Sequence, residues 1–337
     1  MSRGSTAAEI ARSITLPESR RNLIFVFLCL ISLVIWGRPL IATFTMALNR
    51  DEYTHILLVL PVSAALIVRE WRDRTLPAKP GVRAGASLMV LSVLVVLLAR
   101  VQWAGLAADV RLSLDIVALV TWWIAAFVFC FGTKVCRLLI FPLCFLFWLV
   151  PFPDLVLSRV VAWLQHGSSS AAHLLFAAAG VPVVRDGVML SIPGVTLEVA
   201  KECSSIRSSL MLLVTSMVLA QLLLRSPWRK GLVFAAALLL TVAKNGLRIF
   251  TIAMLGTRVD PGFLTGRFHH HGGIVFFLIA LAAIFVLVLG GQALDLVLRF
   301  AVVFEQQVSA HHQHDREHDE DDERDLKSLV FPSSHRL

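Results

Sequence analysis

The chain has 337 residues, 57% of them hydrophobic, with a mean hydropathy of +0.77. Soluble domains sit near roughly 45–50% apolar, and one soluble core has no room for so many long apolar runs, so a soluble globular fold is excluded. The formal net charge of +8 does not point to nucleic acid, because the basic residues stand in short loops between apolar runs, where the positive-inside rule puts them.

Residues 1–22 carry Arg3, Arg12, Arg20 and Arg21 and read as a cytoplasmic N-terminal segment. The run Leu23–Leu48 is too long for the h-region of a signal peptide and lacks a clear cleavage site, so it is expected to stay as the first span. Apolar runs of about 18 residues or more read as membrane helices. Eight spans are predicted, the second and fifth short for a bilayer and leaning on their flanks: Leu23–Leu48, His55–Glu70, Ala84–Trp103, Leu112–Gly132, Cys136–Pro151, Ser205–Leu224, Gly231–Gly256 and Gly273–Phe300. Arg69 stands at the end of span two and Arg72, Arg74, Lys79 and Arg83 follow it, Lys134 and Arg137 follow span four, and Arg225, Arg229 and Lys230 follow span six. These three loops are therefore assigned to the cytoplasm. Trp71 and Trp228 are expected at headgroup level.

The stretch Asp154–Gly180 is apolar but interrupted by Gln165, His166, Gly167 and Ser168–Ser170. Two helices lying along the outer surface, or dipping into it, are expected there rather than a ninth span. In Val181–Ala200 the turn signals Arg185-Asp186-Gly187 and Pro193-Gly194 separate short β-branched runs, which predicts a small hairpin or meander on the outer face. The tail from Glu305 is dense in Asp, Glu, His and Arg; residues 304–337 read as a disordered cytoplasmic tail. Its His311, His312, His314 and His318 read as solvated residues rather than a metal site. The expected fold is thus an all-α integral membrane protein of about eight transmembrane helices, with surface helices and a small β-hairpin outside, its multi-pass domain spanning residues 23–303.

Of five cysteines, Cys29, Cys130, Cys136 and Cys144 lie in or at the ends of apolar runs and read as small core residues. Cys203 differs, for it stands between Lys201-Glu202 and Ser204-Ser205. No Cys-x-x-Cys pair is present, so the sequence supports no zinc or redox motif. The predicted topology puts Cys203 at the outer end of span six, Asn245 and Arg248 in the outer half of span seven, and His269, His270 and His271 just before span eight. A thiol, a guanidinium and an imidazole are thereby brought to one depth on one face. Asn245 and Arg248, three apart, share a helical face, and a charge inside a span costs about 2.5–3.5 kcal/mol on insertion scales. The three histidines come without His-Glu-x-x-His and are not assigned a metal. A thiolate attacks, an imidazole takes the thiol proton and returns it to the leaving amine, and a guanidinium donates to the oxyanion. The covalent intermediate would be a thioester, and no cofactor is needed.

These residues carry a resemblance. Val199-Ala200-Lys201-Glu202-Cys203-Ser204-Ser205-Ile206-Arg207 resembles the Cys-Ser-Gly-Ile-Arg box of the exosortase/archaeosortase family. Asn245-Gly246-Leu247-Arg248-Ile249 is similar to its Asn-x-x-Arg box, and His269-His270-His271-Gly272-Gly273-Ile274-Val275-Phe276-Phe277 to its His-His-x-x-Gly-Trp-x-x-Phe box. Upstream, Tyr53-Thr54-His55-Ile56 is similar to the family's Tyr-Ser-His-Gly segment, and Phe141-Pro142 and Pro151-Phe152-Pro153 also fit. The likeness covers roughly residues 30–300. Ser205 stands where Gly is usual, and Gly272 and Ile274 replace the usual aromatic pair. The resemblance implies Cys203, Arg248 and His270 as catalytic residues, with His269 as the second choice of base and Asn245, His55, Arg207 and Ser204 as support. It further implies a cysteine transpeptidase or endopeptidase in the bacterial inner membrane, with its site on the periplasmic side. The implied partners are membrane lipids and exported proteins whose C-terminal tail holds a short motif such as Pro-Glu-Pro, a membrane helix and a basic cluster; the acceptor nucleophile is not specified. Two rival readings are a small-molecule transporter, which would be expected to show broken helices or repeat symmetry, and a non-catalytic factor for exopolysaccharide or surface assembly.

Overall fold

The structure is a computed structural model and describes residues 18–72, 79–101, 105–198, 206–265 and 273–293. The elements in chain order are α1 (Glu18–Asn49), a 3-10 turn (Asp51–Tyr53), α2 (Ile56–Arg72), α3 (Val82–Val101), α4 (Ala108–Phe131), α5 (Thr133–Leu138) and α6 (Ile140–Phe145). A second 3-10 turn (Leu146–Leu149) follows, then α7 (Asp154–Ala178), strands β1 (Val184–Asp186), β2 (Met189–Ile192) and β3 (Val195–Glu198), α8 (Ile206–Leu223), α9 (Pro227–Arg258) and α10 (Gly262–Thr265). Helix α11 covers Gly273–Ala293. The protein is an all-α multi-pass membrane protein carrying one small sheet. The tail 304–337 and most of the segment 1–22 lie outside the described residues.

Among the described residues six helices are long and apolar enough to cross a membrane: Ser19–Asn49, Asp51–Arg72, Ala108–Phe131, Ile206–Leu223, Pro227–Arg258 and Gly273–Ala293. Val82–Leu98 is a shorter apolar helix at the predicted third span. Large side chains such as Leu23, Phe27, Val34, Leu239 and Val286 are exposed on these helices, which is the surface a bilayer covers. Inside, polar links tie the helices together. Trp122 Nε1 donates to the Leu28 carbonyl at 3.1 Å, Trp123 Nε1 to Ser32 Oγ at 2.8 Å, and Ser92 Oγ to the Ala118 carbonyl at 2.7 Å. With no water to serve as partner, such groups must be satisfied within the protein.

The predicted fifth span is a broken one. Ile140–Leu149 and Asp154–Ala178 meet at a 99° bend and make a seventh span where taken as one. Three hydrogen bonds fix where the bend lies. Ser113 Oγ donates to the Pro151 carbonyl at 2.7 Å, Tyr53 Oη donates to the Phe152 carbonyl at 2.9 Å, and the Asp154 amide donates to Asp109 Oδ2 at 2.7 Å. Residues 133–150 therefore start beside the Phe131 end of α4 and finish beside its Asp109 end.

Helix α7 is one continuous helix of 25 residues, where two were expected. The small polar residues that read as a break are its packing face. Ser168 and Ser169 are fully buried, and Ser170 Oγ donates to the His166 carbonyl at 2.9 Å. A β-carbon on Gly167 would stand 3.0 Å from Val242 Cγ1, and one on Gly246 would stand 2.5 Å from Ala171 Cβ. Phe176 and Phe250 meet edge-to-face with centroids 5.0 Å apart. These pairings advance together, so α7 from Gly167 onward runs alongside α9 in the same direction, with small residues permitting the close approach.

The sheet is the predicted meander, β1-β2-β3, with Arg185 opposite Leu190 and Leu190 opposite Leu197. The β2–β3 turn has Pro193 followed by Gly194 at φ 87°, the arrangement a type II turn requires. Leu190 and Ile192 point inward and pack with Ala172, Phe176 and Ala253. At about 48 Å, the 32-residue α9 exceeds the ~30 Å hydrocarbon core, and its C-terminal part meets the sheet.

Packing divides the chain into two units, Met1–Thr215 with Ala237–Ala280 and Ser216–Ala236 with Leu281–Leu337. The second is tied by Arg229 Nη1 donating to the Gly291 carbonyl at 2.8 Å and Gln292 Nε2 donating to the Leu223 carbonyl at 2.9 Å. Trp228 is exposed beside the Arg229 guanidinium, as a headgroup-level anchor would be. All the site features below belong to the first unit.

Candidate active site

Cys203 and Ser204 lie in residues 199–205, and His269 and His270 in residues 266–272; all four are outside the described residues. The elements on either side of these segments are described. Cys203 stands between the end of β3 at Glu198 and the first turn of α8 at Ile206. The histidines stand between α10 and Gly273, the first residue of α11.

Helix α9 supplies the polar stripe that the sequence placed there. Asn245 is 1% exposed and Arg248 8%. Lys244, which the sequence reading passed over, is 5% exposed and belongs to the same stripe. Its signal was available: a lysine deep in an apolar run, beside Asn245 and one turn before Arg248. Each buried cation costs about 2.5–3.5 kcal/mol to place in a span, so the stripe holds its charges against a standing penalty.

What the stripe touches matters most. The Lys244 ammonium donates to Ser208 Oγ in the first turn of α8 and to Asn245 Oδ1 at 3.1 Å. Ser208 is five positions after Cys203. At the other end, Arg248 Nη1 lies 3.7 Å from where a β-carbon on Gly273 would stand. Gly273 is two positions after His271. One helix face therefore meets the root of the cysteine segment and the root of the histidine segment. Gly246 lies within this stripe and lets α9 seat against Ala171 of α7.

Arg207 and His55 take other places. The Arg207 guanidinium donates to Asp51 Oδ1 at 2.7 Å, with side chains 55% and 76% exposed. This pair joins the first turn of α8 to the 3-10 turn before α2. His55 is buried, with Nδ1 3.2 Å from the Glu52 carbonyl and its ring edge-on to Trp148 at 5.9 Å. Its Nε2 has no partner among the described residues. No described contact joins either residue to Arg248. An open cavity of about 660 Å³ lies against the first turn of α8, with Asp51, Glu52, Asp154, Gln165, Ile206 and Arg207 among its lining residues.

Cys29, Cys130, Cys136 and Cys144 are free thiols, spread over α1, α4, α5 and α6. Among the described residues no three His, Cys, Asp or Glu side chains stand together as a metal ion would need. A buried guanidinium beside the root of the histidine segment, one turn after the lysine bonded to Ser208, can donate a fork of hydrogen bonds to a developing oxyanion.

A family model described as transmembrane exosortase matches residues 47–286, well over half of the chain. Comparison with curated proteins and with solved structures gives no match.

Proposed function

Since the chain belongs to the transmembrane exosortase family, we propose that it is a membrane-embedded cysteine transpeptidase or endopeptidase acting on the C-terminal sorting tail of exported proteins. The observation that carries this reading is the α9 stripe, with Lys244 bonded to Ser208 five positions after Cys203 and Arg248 packed against Gly273 two positions after His271. A substrate tail of short motif, membrane helix and basic cluster lies in the same bilayer as the enzyme, which explains an enzyme built into that bilayer.

In the proposed reaction His270 takes the Cys203 proton and the thiolate adds to the scissile carbonyl. The Arg248 fork donates to the resulting oxyanion. Collapse breaks the C–N bond, the leaving amine takes the proton from the imidazolium, and a thioester remains on Cys203. An acceptor amine or water then attacks the thioester and restores the thiol. Family membership supports a place in the bacterial inner membrane, and the asymmetry of Lys and Arg among the loops supports this site facing the periplasm.

The test is processing of a tailed exported protein in cells carrying each variant at matched level. Cys203→Ala is expected to leave substrate uncleaved, and Cys203→Ser nearly so, because a hydroxyl is far less acidic than a thiol. Cys144→Ala is expected to process normally. Full processing by Cys203→Ala would overturn the reading.

A further inference from the structure

The reaction above gives no task to the open cavity against the first turn of α8. Its volume of about 660 Å³ falls within the roughly 300–1,000 Å³ of small-molecule sites, and its lining residues all belong to the first packing unit. One wall is a stripe of α7. Asp154, Leu157, Ser158, Val161, Ala162 and Gln165 recur three and four apart, which is one helix face. Leu157, Val161 and Ala162 make the middle of that stripe apolar, and Ile206 of α8 adds to it. The charges gather where α7 begins. Tyr53 Oη on the Phe152 carbonyl ties the turn Asp51–Tyr53 to that place, so Asp51 and Glu52 join Asp154. Arg207 is committed to Asp51 at 2.7 Å, which leaves Glu52 and Asp154 as carboxylates that no described cation engages. Three carboxylates against one guanidinium give the lining a net charge of −2. Arg50 does not line the cavity, and Asp109, on which the Asp154 amide bonds, adds a further negative charge nearby.

A cleft with low-dielectric walls focuses the field of its charges, so this one draws cations and repels carboxylates. A hydrocarbon chain would match the walls but not the charge, and a bare inorganic cation would match the charge but not the walls. An ammonium on an apolar body matches both. We propose that this cavity binds a primary amine carried on an apolar body, the ammonium at Glu52 and Asp154 and the body along the α7 stripe, and that this amine is the acceptor of the reaction. Its role as acceptor rests on the reading of Cys203 as the nucleophile; its binding does not. Ile206 is three positions after Cys203, so chain length alone keeps the two Cα atoms within about 11 Å. In the acceptor step the bound ammonium gives one proton to water, and the freed lone pair adds to the thioester carbonyl. The C–N bond forms, the C–S bond breaks, and the departing thiolate takes the second nitrogen proton and is restored as the thiol. Asp154 opens α7, where the helix dipole already favours a negative charge. Glu52 opens no α-helix and is the sharper probe.

Binding is read first, without catalysis. The full-length protein in membranes has its five cysteines replaced by alanine and carries Ala162→Cys as the sole thiol, on the cavity wall. Alkylation of that thiol by iodoacetamide is followed against rising hexylamine, with hexanoate as the anion of similar body. Hexylamine is expected to slow alkylation and hexanoate to leave it unchanged. Adding Glu52→Gln should raise the half-protecting concentration about threefold, and Glu52→Gln with Asp154→Asn about tenfold, the scale of exposed ion pairs. Equal protection by the two probes, or the same half-protecting concentration in the double variant, would overturn the proposal. The second measurement uses the enzyme with its own cysteines, a tailed substrate and hexylamine, and takes the ratio of hexylamide to free acid at the new C-terminus by mass spectrometry. That ratio should fall several-fold in Glu52→Gln, and it decides the matter if the cysteine-free chain does not accumulate. An unchanged ratio would overturn the acceptor role; if tail release also fell, the cavity would belong to the tailed substrate instead. Full processing by Cys203→Ala would sink the enzymatic reading and the acceptor role with it, while protection by hexylamine would leave the binding site standing.

Discussion

Gly246→Ala perturbs the site without touching a charged group. The added β-carbon would stand 2.5 Å from Ala171 Cβ, 3.0 Å from the Ala172 amide nitrogen and 3.1 Å from the Ala171 carbonyl carbon. Carbon atoms pack at about 3.5–4.0 Å, so α7 and α9 must separate by about 1 Å. Overpacking of this kind costs about 1–3 kcal/mol, against which the better helix propensity of alanine returns about 0.8–1 kcal/mol. A net loss of about 0–2 kcal/mol in stability is expected. The effect on processing should be larger, because the displaced turn carries Lys244, Asn245 and Arg248, and misplacement by about 1 Å can cost on the order of 10²-fold in rate. Ala171→Gly removes the closest of the three contacts and leaves the other two, so the double variant should recover part of the loss. The assay is thermal unfolding in detergent beside substrate processing in cells for both single variants and the double. Parent-like processing by Gly246→Ala, or strictly additive losses in the double variant, would refute the seating of α7 against the stripe.

Arg248→Lys should lower processing by about 10²–10³-fold, the usual cost of losing an oxyanion donor, because an ammonium cannot reproduce a planar fork; initial rates at saturating substrate check this. Arg207→Ala should change thermal stability by no more than about 1 kcal/mol, since its pair with Asp51 is exposed on both sides; an unfolding curve that shifts further would show the pair to be structural. Reporter fusions at Ser204 and Ser309 should report opposite sides of the membrane, with Ser204 outside; equal sidedness would contradict the loop assignment.

The spans were legible because a bilayer imposes length and apolarity on any helix that crosses it. The turn at Pro193-Gly194 was legible because one residue presets φ and the next supplies the positive φ of 87°. Gly167–Ser170 misled because small and polar residues carry two meanings: they break helices in water and pack them closely where helices meet. The broken span before α7 showed as an apolar run with prolines, but its 99° bend depends on Asp109, Ser113 and Tyr53 capturing the chain at residues 151–154, and no local pattern encodes those partners. Asn245 and Arg248 could be read as one face from spacing alone. Lys244 could not be assigned to Ser208 without the crossing of α8 and α9.

The central claim is a thioester on Cys203, and trapping that species tests it most directly. The full-length enzyme would be incubated with a tailed substrate and digested, and the peptide carrying Cys203 examined by mass spectrometry with and without hydroxylamine. The account predicts a hydroxylamine-labile acyl adduct on Cys203 that accumulates when acceptor is withheld and is absent in Cys203→Ala. Cleavage of the tail at the parent rate with no adduct on Cys203, and equal cleavage by Cys203→Ala, would contradict it.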